Sequence, residues 1–449
     1  MTTLSPIAAL LDAAKRRNPL PTGTLAVGAG LIVAGLSAYG FLIVANGPLS
    51  DSEYAPLSAL WGLVFLAGPG LFLPLEQEVS RALAERRARG QGGAPVLRRA
   101  GTVGVGLGLG VLVLLIATAR LSVDHLFDHQ LLLLVGFALG LAGALAGHLT
   151  RGALSGSGRF KGYAAYIAAD GFLRFAGAVL CLVVGVKTAG WFGVALGIAG
   201  LLAVPVALGV QRPILEEGPE SAFREISAAL GYLMAASLLS FGIMNIGPVL
   251  VQVLATEAEK DAAGRFLPGL VIARIPLFLF QAVQAALLPK LSALAGAGLH
   301  GSFRKGLWRL LAVVAGLAAV GTLVGFTIGP WVVHLLFRES ELSSRTLGLL
   351  AAGSGLYMLA LACAQALIAL GGHRDQAFGW AAGMATLLVT TWLVSDDLFL
   401  RVELGLLAGS AAALVAMAAL LLRRLRQVGT EDIEVGDVIE AAHDVAVEV

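Results

Sequence analysis

Three charged residues, Asp170, Arg174 and Arg274, stand out inside apolar runs about 20 residues long, where a charge is hardest to keep. Charges in such places face a partner or a water-filled cavity. A guanidinium offers a rigid fork of donors that matches phosphate and carboxylate oxygens, so buried arginines suit an anionic ligand. Asp170 and Arg174 are four residues apart and share one helix face. Counted from Gly162, Asp170 lies about 12 Å and Arg174 about 18 Å into its run, which puts Arg174 near a bilayer midplane. Arg274 lies about 12 Å from the outer end of its own run. Two readings stand for this group. It is either an internal ion pair plus a snorkelling arginine, or a set of cavity charges that hold substrate.

Amides add to the candidates. Asn245 and Gln252 fall in the seventh apolar run, and Gln281 and Gln284 in the eighth. They suit either hydrogen bonds between helices or contacts to a polar ligand. Glu76 and Glu78 end the second run and are followed by Arg81 and Glu85. They read as gate residues at a cytoplasmic mouth or as an interfacial ion-pair ladder. His148 and His334 lie near run ends and read as interfacial. No nucleophile–base pair, metal-ligand spacing or GxxxxGK[ST] motif occurs, and no hydrophilic stretch approaches a soluble catalytic domain. No enzyme activity, metal site or cofactor is expected. Cys181 and Cys363 both lie in apolar runs and read as small buried hydrophobes.

The elements that hold these residues must be membrane helices. The chain has 449 residues, is 57% hydrophobic and 13% charged, and has a mean hydropathy of +0.85. A soluble chain carries about 25% charged residues. The apolar runs are too long, and lack the period-two alternation, for barrel strands. About twelve runs of spanning length are read, the first over Leu25–Ala45 and the last over Val402–Leu422. The first run is longer than the core of a cleavable signal and is followed by more spans. Net charge is only +2, which gives no case for nucleic-acid binding.

Basic residues orient the spans. Outer loops would hold Arg120, Lys187, Lys260, Arg265, Arg338, Arg345 and Arg401. Apart from Arg174 and Arg274, the remaining basic residues fall in inner segments. Both termini are therefore expected in the cytoplasm. Pro248, Pro276 and Pro330 should kink their helices. Glycines at four-residue spacing in the third span (Gly104, Gly108) and fourth (Gly136, Gly140) should let helix backbones approach closely.

The chain also repeats itself. Pro74-Leu-Glu-Gln-Glu and Pro289-Lys-Leu-Ser close the second and eighth spans. Leu154-Ser-Gly-Ser-Gly-Arg-Phe-Lys and Ile368-Ala-Leu-Gly-Gly-His-Arg-Asp follow the fourth and tenth. The shared offset of about 214 residues predicts an all-α polytopic protein of two six-helix lobes, related by an axis along the membrane normal. The expected divisions are a cytoplasmic N-terminal segment over 1–24, an N-lobe over 25–210 and a linker over 211–225. A C-lobe over 226–422 and an acidic, solvated, poorly ordered tail over 423–449 complete the chain.

The loop Arg151-Gly-Ala-Leu-Ser-Gly-Ser-Gly-Arg-Phe-Lys-Gly-Tyr resembles the loop after the fourth span of bacterial polysaccharide (O-antigen type) flippases. Three further stretches match in order: Ala273-Arg-Ile-Pro-Leu with Ala285-Ala-Leu-Leu-Pro-Lys-Leu-Ser, then Gly329-Pro-Trp-Val-Val-His-Leu-Leu-Phe, then Ala364-Gln-Ala-Leu-Ile-Ala-Leu-Gly. That family belongs to the multidrug/oligosaccharidyl-lipid/polysaccharide exporter superfamily. The resemblance implies export of an undecaprenyl-diphosphate-linked oligosaccharide across the bacterial cytoplasmic membrane by alternating access. Cationic cavity residues would hold the lipid diphosphate. A polysaccharide polymerase and glycosyltransferases would be partners, beside the membrane lipids. Arg274 falls where the lipid II flippases of this superfamily also place an arginine, with a slightly different spacing to Pro289. Asp170 sits in a different context from the N-lobe acid of sodium- or proton-coupled drug exporters. A small-molecule antiporter on the same fold, and a non-transporting scaffold of an envelope assembly complex, are the other two readings.

Overall fold

The computed structural model describes residues 24–220, 230–277, 280, 299–337 and 342–447, with side chains from 26 to 427 within those ranges. The described residues are helical and form two lobes. The N-lobe holds α1 (Thr24–Asn46), α2 (Asp51–Ala88), α3 (Ala94–Ala117), the short α4 (Ala119–His125), α5 (Leu131–Gly156), α6 (Phe160–Val184) and α7 (Ala189–Val210). The C-lobe holds α8 (Leu230–Asn245), α9 (Gly247–Leu254), α10 (Lys260–Ile272), α11 (His300–Thr327), α12 (Gly329–Leu336), α13 (Ser344–Ala369), α14 (His373–Leu393) and α15 (Leu398–Val447). Among the described residues nine helices are long and apolar enough to cross a membrane, and the bent pair α8–α9 makes a tenth. With so many spanning helices, the chain is an integral membrane protein. The end assigned to the outside by the basic-residue asymmetry is called the outer end.

The packing repeats as the sequence does. In the N-lobe α1 packs on α6, α5 on α7, and α6 on α7. In the C-lobe α8 packs on α14, α13 on α15, and α14 on α15. α2 is the bridge between lobes, because it runs against α5 on one side and α8, α9 and α10 on the other.

Small residues set the N-lobe crossing, with a partner that spacing alone does not name. Gly136, Gly140 and Gly143 of α5 face Gly193, Gly197 and Gly200 of α7. A Cβ on Gly136 would stand 2.5 Å from the Gly193 carbonyl oxygen, and one on Gly197 would strike that of Gly136. The third-span glycines behave differently from the expectation. Only Gly104 is crowded, against Leu145 and Leu75, while Gly106 and Gly110 have open space beside them. Gly197→Val should therefore push α7 off α5. The expected result is loss of most folded, detergent-extractable protein, whereas Gly110→Val should extract like the wild type.

Proline punctuates the C-lobe as expected. Pro248 stands in the first turn of α9, and α8 and α9 meet at a 60° bend. Pro276 cannot donate to the carbonyl of residue 272, and α10 stops at Ile272, leaving Arg274 in a turn. Pro330 opens α12 just after α11 ends. α2 differs, since it carries Pro56, Pro69 and Pro74 in one unbroken 38-residue helix. α15 also runs past the expected span end, as helix to Val447.

The linker is not a free loop over its whole length. Arg86 is 4% exposed and donates to the carbonyls of Gly92 (3.0 Å), Pro219 (2.8 Å) and Glu220 (3.3 Å). Ala94 N–H bonds Glu216 O at 3.0 Å, Arg98 pairs with Glu217 at 2.5 Å, and Ile214 N–H bonds Ser157 Oγ at 3.0 Å. Residues 211–220 are thus bound to the inner end of the N-lobe.

At the outer end Arg265 donates to Asp51 at 2.8 Å and Lys260 to Asp128 at 3.2 Å across the lobes, and deeper in, Tyr39 Oη donates to Val271 O at 3.1 Å. Asp128 and His129 both have left-handed backbone (φ 45° and 61°), a costly conformation for non-glycine residues.

Candidate functional site

Two cavities lie beside the lobe interface, and each holds one of the predicted arginines. The N-lobe cavity, about 190 Å³, is walled by α2, α5, α6 and α7. Its polar lining is His148, Arg151, Tyr166, Asp170 and Arg174. Arg174 pairs with Asp170 at 2.7 Å, as the i, i+4 spacing predicts, and its guanidinium lies 5.0 Å from the centre of the Phe65 ring. Both partners are mostly buried. An ion pair and an aromatic face together reduce the cost of a guanidinium in a low-dielectric site.

Beside this pair is a second cluster that sequence reasoning missed. Glu76 is buried within the lobe. Its Oε2 accepts from Arg151 at 2.6 Å and lies 2.7 Å from His148 Nδ1, and its Oε1 accepts from Tyr163 at 3.0 Å. His148 is 7% exposed, so the interfacial reading is corrected. Arg151 is corrected too. α5 continues to Gly156, which carries Arg151 on the helix instead of in a loop. Its guanidinium stands 5.8 Å and 5.7 Å from the Tyr163 and Tyr166 ring centres. Tyr166 Oη donates in turn to Gly200 O at 3.2 Å. Glu78 is separate. It pairs with Arg81 at 3.0 Å, and Arg81 pairs with Glu85, which is the ladder arrangement.

The C-lobe cavity is small, about 20 Å³, and is lined by Arg274, Tyr357, Ser354, Ser410 and apolar side chains of α8, α10, α13 and α15. Arg274 is 9% exposed. Among the described residues its partner is an amide, not a carboxylate, since Nη1 reaches Asn245 Oδ1 at 3.5 Å. A guanidinium carries five N–H donors, and among the described residues one of them meets a partner. Tyr357 Oη and Ser240 Oγ, 2.8 Å apart, stand nearby.

The two sites meet at Phe65 of α2. Asn245 Nδ2 donates to Phe65 O at 3.3 Å and to Phe241 O at 3.0 Å. Phe65 therefore offers its ring to Arg174 and its carbonyl to the amide that touches Arg274. The structure brings Asp170, Arg174, Asn245 and Arg274 around this residue. Gln281, and Gln284 with it, lie outside the described residues. The described residues contain no group of His, Cys, Asp and Glu that could hold a metal ion.

No family model matches the chain. Two uncharacterized proteins of Mycobacterium tuberculosis (strain H37Rv) are similar in sequence. One is 28% identical over 418 residues, covering 89% of this chain and 93% of the relative. The other is 28% identical over 427 residues, covering 91% and 93%. Among solved structures, the inward-facing conformation of a multidrug resistance MATE family transporter of the MOP superfamily superposes with a TM-score of 0.68 at 17% identity, covering 88% of this chain and 95% of that one. An outward-facing conformation under the same description gives 0.65 at 16% identity, covering 91% and 95%.

Proposed function

We propose that this chain, a membrane exporter with the fold of MATE family transporters, moves an undecaprenyl-diphosphate-linked oligosaccharide across the bacterial cytoplasmic membrane. Transport is by alternating access between the two lobes, and no bond is made or broken. The observation that carries this reading is Arg274, a buried guanidinium beside the lobe interface whose described partner is a single amide. A diphosphate supplies the paired oxygens such a group lacks. Arg174 faces the neighbouring cavity and is already half satisfied by Asp170, so it serves as the secondary contact. Enzymes that build the glycan on its lipid and enzymes that polymerise it are the natural neighbours of this activity.

A cation-coupled antiporter of small molecules is the second reading, on the same fold. Asp170 in the N-lobe cavity favours it, because a carboxylate there suits a cationic cargo. Arg174 neutralises that carboxylate, which is why the anionic cargo is preferred.

The test is reconstitution. Purified protein in liposomes should expose a polyprenyl-diphosphate-linked oligosaccharide to a lectin added outside, at a rate well above protein-free liposomes. Failure to expose it, together with gradient-driven extrusion of a cationic dye that Asp170→Asn abolishes, would replace the first reading with the second.

A further inference from the structure

Glu403, in the first turns of α15, is used by neither cavity. It is 0% exposed, and among the described residues neither carboxylate oxygen accepts a well-formed hydrogen bond, the Thr346 hydroxyl being the polar group that faces it. Glu76 is the instructive contrast, for it is buried too but takes hydrogen bonds from Arg151 and Tyr163. A buried carboxylate with so few close partners is costly to keep as an anion, and such a group tends to neutralise instead.

The surroundings supply one way to ionise it. α9 carries no ionisable residue, and those of α14 are at its opposite end. Arg401, on the same helix, is aimed away and donates to Leu254 O at 2.8 Å. Thr346 faces Glu403 from α13, and its hydroxyl lies 3.0 Å from Ser343 Oγ. The charged groups that face Glu403 are Arg345 and Asp397. Arg345 Nε stands 3.9 Å from Glu403 Oε2, while its Nη2 stands 3.7 Å from Asp397 Oδ1. Half-exposed at the outer rim, Arg345 can swing between the two carboxylates.

We propose that Glu403 is a proton-binding site of the C-lobe. It holds a proton while Arg345 stays at the rim beside Asp397, and releases it to water at that rim when Arg345 moves in to pair. The site is stacked on the Arg274 cavity. Glu403 continues the face of α15 that carries Leu406 and Ser410, and Thr346 continues that of α13 carrying Leu350 and Ser354, all four of which line the cavity. Seven residues from Glu403 to Ser410 is about 10 Å along the helix. A proton gained or lost there changes the charge on the helix face that leads to the Arg274 cavity, which gives the C-lobe a means of coupling to a proton gradient whatever the cargo.

Infrared spectroscopy of the purified full chain tests this without any substrate, so its outcome is independent of the glycan reading. The wild type at neutral pH should show a carboxylic-acid C=O stretch that Glu403→Gln lacks and that bleaches on alkaline titration. Arg345→Ala should keep that band to more alkaline pH than the wild type does, because the cation that favours the ionised form is gone. If Glu403→Gln folds poorly, Glu403→Asp keeps an acid and should shift the band. No band assignable to Glu403 by either variant would mean it is an ordinary ionised partner of Arg345, and the proposal fails.

Discussion

Arg274→Ala should abolish glycan export by at least about a hundredfold, the loss expected when a charge-assisted contact worth about 3 kcal/mol disappears from a buried site. Arg274→Lys should recover only a minor part. It restores the charge but not the planar fork that addresses two oxygens at once. The measurement is surface glycan in a deletion strain complemented with each variant, with membrane abundance checked alongside. Removing Arg274 also removes an expensive buried charge that has no carboxylate partner among the described residues, so the Ala protein should accumulate normally. Wild-type glycan display by Arg274→Ala would show that the cation does not touch the cargo.

The second large effect belongs to the Glu76 cluster. Arg151→Leu should destabilise the protein by about 3–5 kcal/mol, because it leaves a buried carboxylate without its countercharge. The effect should shrink when Glu76 is neutralised as well. The double variant Glu76→Gln, Arg151→Leu is therefore expected to unfold later than Arg151→Leu alone in thermal melts of detergent-solubilised protein. Equal melting of the two would mean that Glu76 is not held as an anion by Arg151. Arg174→Ala makes a useful comparison. Asp170 is partly exposed to the cavity, so water can replace the lost partner and the cost should be smaller.

The reach of the sequence differs between these two sites for a physical reason. Asp170 and Arg174 are one helical turn apart, and periodicity alone pairs them. The turn at Arg274 follows from Pro276, since a missing N–H is a local property. The Glu76 cluster draws on α2, α5 and α6, and Glu76 lies 72 to 87 residues in sequence from its partners. No local rule joins them. Arg151 was further hidden because a basic residue next to glycines reads as a loop, while the contacts α5 makes with α2 keep it helical to Gly156. Glycine spacing told the same story in part. It marked α5 as a close-packing helix but could not name α7 as its partner, and it overrated α3, where only Gly104 is crowded and Gly106 and Gly110 meet nothing. Phe65 was not legible at all, since its role as a meeting point depends on the ring and the carbonyl facing different lobes.

The bound linker has a practical bearing on how motion of this protein can be watched. Composition marks 211–225 as one tether, yet its first ten residues are held by Arg86, Arg98 and Ser157 and so travel as cargo of the N-lobe. A fluorophore at the exposed Glu216, which holds the lobe through its backbone carbonyl, would therefore report the orientation of that lobe. Paired with a second dye on the surface of α11, at Trp308 for instance, it becomes one arm of a protractor that reads the rocking angle of each half against the other through a transport cycle.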